Sequence, residues 1–323
     1  MKKKIALIGY GQIGRGVEKR AHEKGWTIPI ILRTSGVYNF RQEKIAESAN
    51  WLGYFSRKEI DVAIICISTL DDGTIAYYYI NRLLENGISV VTSEKGAWGN
   101  YGPELKPYIN RIGYSAVVGG GTRMLPWIRN RISSNTETMH FVLNGTLNHI
   151  FDGLSRGKTL NEVIIEVQKL GYAEPGAKKP LDIINVEAGK DVPLKVASLI
   201  NICGLGEIRA KEIKVHNIDE KNLRRLIREA SLRRYIVSIT KEEDEEEDII
   251  GGFRFKTNDW YVSGGFKNRN HNPLFLQLVP PGVNNASLIH GIDGTYILTG
   301  PGAGVTPTVL GGIMKDVESF LKI

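Results

Sequence analysis

Cysteine is almost missing from this chain: Cys66 and Cys203 are the only two in 323 residues. Both sit among apolar neighbours. That scarcity excludes a disulfide-stapled secreted scaffold, and neither cysteine has metal-ligand spacing, so buried free thiols and no metal site are expected. Long hydrophobic runs are missing as well, and nothing approaches the roughly 20 apolar residues that span a bilayer. Met1-Lys2-Lys3-Lys4 is basic, but Ile5 to Ile8 behind it is too short for a signal peptide and runs straight into glycines. A cytoplasmic protein without a membrane partner is expected. Negative charge is the scarcer sign, 35 Asp and Glu against 42 Lys and Arg, for a net +7. Basic residues gather at Arg224-Arg225, Arg228 and Arg233-Arg234, yet an acidic run from Glu242 to Asp248 follows. No nucleic-acid-binding motif is visible. The excess reads as a solvated basic surface with some pull on anionic metabolites.

What is present is length and glycine. The chain is long enough for two domains with a buried core, and its 42% apolar and 24% charged residues are ordinary for a globular protein. Lys4 to Ile8 reads as a buried parallel strand. Gly9-Tyr10-Gly11-Gln12-Ile13-Gly14 follows at once, and Arg15 to Lys24 reads as a helix closed by Gly25. Strand, G-x-G-x-x-G and helix in that order form a dinucleotide cradle. Gly9 allows the turn, Gly11 lets backbone approach a pyrophosphate, and Gly14 lets helix and strand pack. Gly9, Gly11, Gln12, Ile13 and Gly14 are therefore candidate cofactor contacts. The second strand, Thr27 to Leu32, ends in Arg33-Thr34-Ser35 with no acid for a ribose 2′-hydroxyl. Arg33 suits a 2′-phosphate, which favours NADP over NAD. A third strand, Asp61 to Ile67, delivers Ser68 and Thr69, two more candidate contacts. A fourth, Ile88 to Val91, delivers Lys95 into the same crevice.

Further on, Thr159 to Leu170 has helical periodicity, with Thr159 and Glu162 forming a capping box and Gly171 closing the helix. Glu174 lies just past that end, and Asp182 beyond it. Asp191 and Lys195 are spaced i, i+4 and share a face if the segment is helical. Pro193 belongs in a first turn, which makes Asp191 an expected N-cap. The plainer alternative is a capping aspartate beside a solvated lysine. Leu194, Val196, Ala197, Leu199 and Ile200 instead bury the helix, and a lysine embedded there with carboxylates nearby is a reasonable general acid. From Arg233 the pattern turns to strands, Tyr235 to Thr240, Ile249 to Lys256 and Trp260 to Phe266, with the acidic run as a solvated hairpin loop. The antiparallel sheet they form is a natural surface for pairing subunits. Gly300 to Gly304 then opens a last helix, about Thr306 to Leu321, that returns the chain to the first domain.

These residues resemble the homoserine dehydrogenase family along nearly the whole chain. Besides the nucleotide loop, Thr92-Ser93-Glu94-Lys95 is similar to T-A-N-K and Val118 to Gly121 to a glycine-rich hinge. Asn144 to Ile150 is similar to N-G-T-x-N-Y-I. Leu170 to Pro175 reads L-G-Y-A-E-P outright, Gly189-Lys190-Asp191 with Lys195 reads G-x-D-x-x-x-K, and Gly300 to Gly304 with Asp316 is similar to G-x-G-A-G…D. The resemblance implies NAD(P)-dependent interconversion of L-aspartate 4-semialdehyde and L-homoserine, a step of threonine and methionine biosynthesis. By position, Lys195 is the implied proton donor and Lys95 lies between nicotinamide and substrate. Glu174, Asp191 and Asp182 are implied at the amino-acid head, and Gly171 and Gly302 beside the cofactor. The chain departs from the pattern at Gly176-Ala177, at Ser115 in place of a glutamate near a monovalent-cation site, and at Thr122-Arg123 after the hinge. It also has apparent extra material between Glu174 and Asp191.

The expected architecture is α/β: a Rossmann-type doubly wound nucleotide-binding domain, residues 1–125 plus 300–323, and an α+β substrate-binding and dimerisation domain, residues 126–299. The expected protein is an NADP-dependent homoserine dehydrogenase acting as a homodimer. A same-scaffold reductase of another amino-acid semialdehyde or hydroxy acid stays open. So does a non-catalytic NADP-sensing regulator, against which the presence of both Lys95 and Lys195 argues.

Overall fold

Strands of two different characters organise the chain into two sheets. The computed structural model describes residues 3–56, 59–69, 72–171, 179–243, 248–268 and 281–322. Uninterrupted apolar runs make the first sheet. β1 (Ile5–Ile8) and β5 (Val62–Ile65) are buried at every position, as parallel strands covered on both faces must be. With β2 (Ile30–Arg33), β3 (Gly36–Asn39), β4 (Lys44–Ala46), β6 (Ser89–Thr92) and β7 (Ile112–Gly113) they stand in the order β4-β3-β2-β1-β5-β6-β7. β2, β1, β5, β6 and β7 are parallel, and β3 and β4 add an antiparallel edge. The chain moves outward from β1 to β2 through helix α1 (Gln12–Glu23) and then returns to β5 on β1's other side. The gap beyond the ends of β1 and β5 is thus the switch point where such sheets take ligands.

The second sheet is antiparallel, ordered β10-β11-β9-β8-β12-β13. It comprises β8 (Thr136–Val142), β9 (Arg233–Thr240), β10 (Ile250–Thr257), β11 (Trp260–Asn268), β12 (Asn284–Gly291) and β13 (Gly294–Pro301). Here the hairpin expected around the acidic run is corrected: β9 pairs with β11 and β8, not with β10. Asp248 instead takes the guanidinium groups of Arg225 and Arg233, both of which also bond Glu229. The basic cluster is therefore spent largely on internal pairs.

The helices between β5 and β10 are α2 (Thr74–Glu85), α3 (Gly96–Leu105), α4 (Met124–Arg129), α5 (Gly145–Ser155), α6 (Leu160–Lys169), α7 (Pro180–Val186), α8 (Val192–Cys203) and α9 (Glu220–Arg228). The capping box at Thr159 and Glu162 is present, and Gly171 ends α6 with φ +68°. The segment Tyr172–Lys178, which includes Glu174, lies outside the described residues. Asp191 is not an N-cap. A π turn, Glu187–Asp191, joins α7 to α8 into one helical run, and Asp191 has α-helical angles with no capping bond. The wider turn just ahead of Pro193 absorbs the missing N–H that otherwise ends a helix. The last helix, α10 (Met314–Leu321), continues a helical stretch from Val305 through a second π turn. Its Val317 and Leu321, with Val309 and Ile313, share a core cluster with Ile5, Leu7, Val17 and Val62 of the parallel sheet and α1.

Candidate active site

Beyond β1, Gly9 takes φ +92°, and a Cβ there would stand 2.6 Å from the Cys66 carbonyl oxygen at the end of β5. A Cβ at Gly14 would stand 2.6 Å from the Gly9 carbonyl oxygen. Both positions are closed by packing. Gly11 is different: nothing lies within 4 Å of its Cβ position. The turn therefore holds open space directly over the start of α1, where unpaired backbone N–H groups favour an anion. Gln12 is exposed and Ile13 half-buried beside it. Ser68 and Thr69 follow β5 at the same rim, Ser68 exposed and Thr69 half-buried.

Arg33, the last residue of β2, reaches this rim as well. Its guanidinium lies 4.0 Å from the Tyr10 ring and 4.4 Å from the Tyr38 ring, a two-sided aromatic clamp. One terminal nitrogen donates to Gln42, whose amide donates to Glu18 at 2.9 Å; the Tyr10 hydroxyl donates to Glu18 too. The Arg33 Nε is buried without a hydrogen-bond partner. An orphaned donor on a preoriented guanidinium, next to an open turn at a helix start, fits a dinucleotide carrying a further phosphate.

The second half of the site is assembled from distant segments. Lys95 stands just ahead of α3. Gly99 and Gly102 let α3 press against α8: a Cβ at Gly99 would lie 2.8 Å from a Leu194 methyl, and one at Gly102 2.3 Å from the Asn201 amide. This close approach carries Lys95 to α8. There its Nζ lies 2.5 Å from Asp191 Oδ1, while Lys195 Nζ lies 2.7 Å from Asp191 Oδ2. The Asp191 side chain is only 2% exposed and those of Lys95 and Lys195 16% and 14%. Burial alone would push the Asp191 carboxyl up, but the ammonium groups of Lys195 and Lys95 outweigh it and hold the carboxyl far below its ordinary range. Lys195 also donates to the Leu143 carbonyl at 3.0 Å, just past β8.

Three further residues frame this cluster, none of them among the candidates named above. Asn144 donates to both Glu187 Oε2 and Asp191 Oδ2 at 2.7 Å, while its carbonyl oxygen accepts from the Leu147 N–H and caps α5. Both amide N–H groups and the side-chain oxygen are engaged, which fixes its orientation. Glu187 is buried at the start of the π turn. Its signal was legible: an acid four residues before Asp191 in an apolar helical stretch. Asn285, fully buried on β12, donates to the same Leu143 carbonyl at 3.2 Å. Its Oδ1 has no partner and would stand 2.0 Å from a Cβ at Gly302. Nothing in the sequence marks Asn285. Nearer the cofactor turn, Glu94 accepts from the Gly96 and Ala97 N–H groups at 2.6 and 2.9 Å, and burial pushes its carboxyl up. It pins the start of α3 and so the backbone of Lys95.

The structure thus brings together Lys95, Asp191 and Lys195, with Gly302 one residue layer away behind Asn285. Asp182 is exposed on the first turn of α7, and among the described residues no ion pair joins it to either lysine. Gly171 is exposed at the end of α6. Glu174 lies outside the described residues. Ser115 bonds Asp316 of α10 through both its N–H (2.7 Å) and its hydroxyl (2.5 Å), with Arg123 3.8 Å from the same carboxylate. Among the described residues, no group of three or more His, Cys, Asp or Glu could hold a metal, and no helix is long and apolar enough to cross a membrane.

Comparison with known proteins finds relatives over most of the chain. The sequence profile of the homoserine dehydrogenase family matches residues 128–317. The homoserine dehydrogenase of Lactococcus lactis is 26% identical over 98% of this chain and 74% of its own length. An NAD(+)-dependent homoserine dehydrogenase of Pseudomonas canavaninivorans is 26% identical over 97% of this chain and 95% of its own. Among solved structures, a hyperthermophilic archaeal homoserine dehydrogenase in complex with NADPH superposes with a TM-score of 0.69 at 22% identity, covering 100% of this chain and 99% of that one. The chain belongs to the homoserine dehydrogenase family, NAD(P)-dependent oxidoreductases that act on a CH–OH group.

Proposed function

We propose that this family member interconverts L-aspartate 4-semialdehyde and L-homoserine with NADP(H), in a cleft between the two sheets. The observation that carries the reading is the convergence of two ammonium groups on one buried carboxylate, Asp191. The bound nicotinamide supplies or takes the hydride. The chain supplies everything else. Lys195 gives its proton to the oxygen that becomes the alcohol, and its ammonium stabilises the alkoxide, general-acid help worth about 10²–10⁴-fold. Asp191 pairs with both lysines and aims them; with Glu174, and Asp182 at the rim, it forms the amino-acid end of the site. Lys95 would stand between cofactor and substrate.

Gly9, Gly11, Gln12, Ile13 and Gly14 form the cofactor cradle, with Ser68, Thr69, Gly171 and Gly302 along it. Arg33 is the residue we assign to the 2′-phosphate, supported by its clamped guanidinium and orphaned Nε. The shared core of β1 with residues 309–321 supports a nucleotide-binding domain of residues 1–125 plus 300–323. The reading includes a cytoplasmic homodimer joined through the antiparallel sheet, whose edge strand β13 leaves Tyr296 and Ile297 partly exposed.

The test is NADPH oxidation with L-aspartate semialdehyde, run beside NADH and a control without substrate. Fast oxidation with NADPH, and slower oxidation with NADH, is expected. Faster turnover with NADH would overturn the NADP assignment. A folded, NADPH-binding protein that oxidises neither cofactor would overturn the substrate.

A further inference from the structure

Two contacts hold the Lys195 ammonium, and together they decide where its proton can go. An ammonium has three N–H bonds in a tetrahedral array. One donates to Asp191 Oδ2 at 2.7 Å and one to the Leu143 carbonyl at 3.0 Å. Fixing two directions fixes the third, the one left for a substrate oxygen. Asp191 is itself anchored, by Asn144 and by its place in a continuous helical run. Leu143 lies one residue past the end of β8, so the direction of its carbonyl needs a support outside that strand.

Asn285 supplies it. This residue of β12 is fully buried, and its Nδ2 donates to the Leu143 oxygen at 3.2 Å, taking the lone pair beside the one that Lys195 uses. The amide has one workable orientation. Turned over, it would set its oxygen against the Leu143 oxygen. As it stands, its Oδ1 packs against Gly302, where a Cβ would be only 2.0 Å away. That Oδ1 has no hydrogen-bond partner. A buried acceptor without a partner costs stability, and an apolar side chain of the same size would avoid the cost. What the amide has and such a side chain lacks is one bond, to the carbonyl that holds Lys195.

We propose that Asn285 is a positioning residue for the proton donor: it fixes the Leu143 carbonyl, and through it the direction in which Lys195 presents its remaining N–H. This rests on the homoserine reading above. In the reducing direction, hydride from the reduced nicotinamide forms the new bond to the aldehyde carbon. The carbonyl π pair moves onto oxygen, and the Lys195 N–H bond breaks to give that oxygen its proton. The amine left behind is reprotonated from solvent. Without Asn285 the carbonyl tilts and Lys195 follows it, so the alkoxide forms with its proton donor out of line. Asn285 touches neither substrate nor cofactor in this scheme, so the binding of both is preserved.

The experiment compares wild type with Asn285→Ala in the reduction of L-aspartate semialdehyde by NADPH. Readouts are kcat, KM, NADPH affinity by fluorescence, thermal unfolding, and the ratio of kcat in ordinary water to kcat in heavy water. The expected kcat is lower by about 10- to 100-fold, the scale of a misaligned reacting group, with KM and NADPH affinity nearly unchanged. The decisive readout is the solvent isotope ratio. It should rise above the wild-type value, because proton transfer has become the slower event. A cavity that only loosens the fold lowers Tm and leaves that ratio where it was. An unchanged ratio, or a fall in kcat matched by loss of NADPH binding, would overturn the proposal. Should the alanine variant fail to fold, Asn285→Leu refills the space without the donor and should show the same rise; failure of both to fold would assign Asn285 to the fold alone. Absence of turnover by wild type with either cofactor would instead sink the underlying function, an outcome visible before any variant is made.

Discussion

The glycine turn proposed as the nucleotide cradle and the lysine cluster are built by opposite rules. The cradle is local: β1, the glycine turn, α1 and the end of β2 all fall within residues 5–33, and its candidate ligand contacts are mostly backbone. The cluster is global: Lys95, Leu143, Asn144, Glu187, Asp191, Lys195 and Asn285 come from four segments, and its contacts are mostly buried charged and polar side chains. A local backbone site tolerates change around it and loses affinity when touched. A buried charge cluster depends on every member and loses turnover or stability.

The largest effect should come from the cluster. Lys195→Ala should lower kcat by two to four orders of magnitude, about the worth of a positioned general acid, with cofactor affinity nearly intact; near-normal turnover would remove Lys195 from the chemistry and erase the contrast. Asp191→Asn should come next. It leaves two lysines without their carboxylate and should destabilise the fold by about 3–5 kcal/mol, read by thermal or urea unfolding. The sign of its pH dependence follows from the depressed carboxyl. A folded-state pKa below the unfolded value gives stability that is present above about pH 4 and is lost as pH falls through the native value. The Tm gap between wild type and variant should therefore stay constant from about pH 8 to 5 and narrow below about pH 4. A gap that widens on acidification would contradict an ionised Asp191.

The cradle should respond more mildly and divide by position. Gly11→Ala should weaken NADP binding about tenfold or more while leaving Tm nearly unchanged, because its methyl enters open space meant for the ligand. Gly14→Ala should instead cost about 1–3 kcal/mol of stability, its methyl meeting the Gly9 carbonyl. If both variants behave alike, the turn is packing and not a cradle. Arg33→Asp should have the smallest effect on turnover and should show as a shift of the NADP/NAD preference toward NAD, about tenfold; an unchanged ratio would mean that Arg33 does not read the 2′ group.

The same division decides what the sequence disclosed. The strand, glycine turn and helix of the proposed cradle were legible because they are consecutive, and the capping box at Thr159 was legible because two residues three positions apart define it. The pairing of Asp191 with Lys195 followed from i, i+4 spacing. Its partner Lys95 could be placed in the crevice but not on Asp191, since that meeting depends on Gly99 and Gly102 drawing α3 onto α8. Pro193 imitates a helix start and so suggests Asp191 as a cap, whereas the π turn carries the helix through it. The hairpin expected between β9 and β10 failed for a related reason: neighbouring strands in sequence usually pair, and here β11 inserts between them.

The packing of residues 309–321 against β1 and α1 also sets an order of events during synthesis. Ile5, Leu7 and Val17 leave the ribosome well before the residues that cover them, Val309, Ile313, Val317 and Leu321. The growing chain therefore carries an uncovered apolar face on its parallel sheet until those residues emerge, a natural target for chaperones. Docking of that late helix is the step that makes the first-made part of the protein complete.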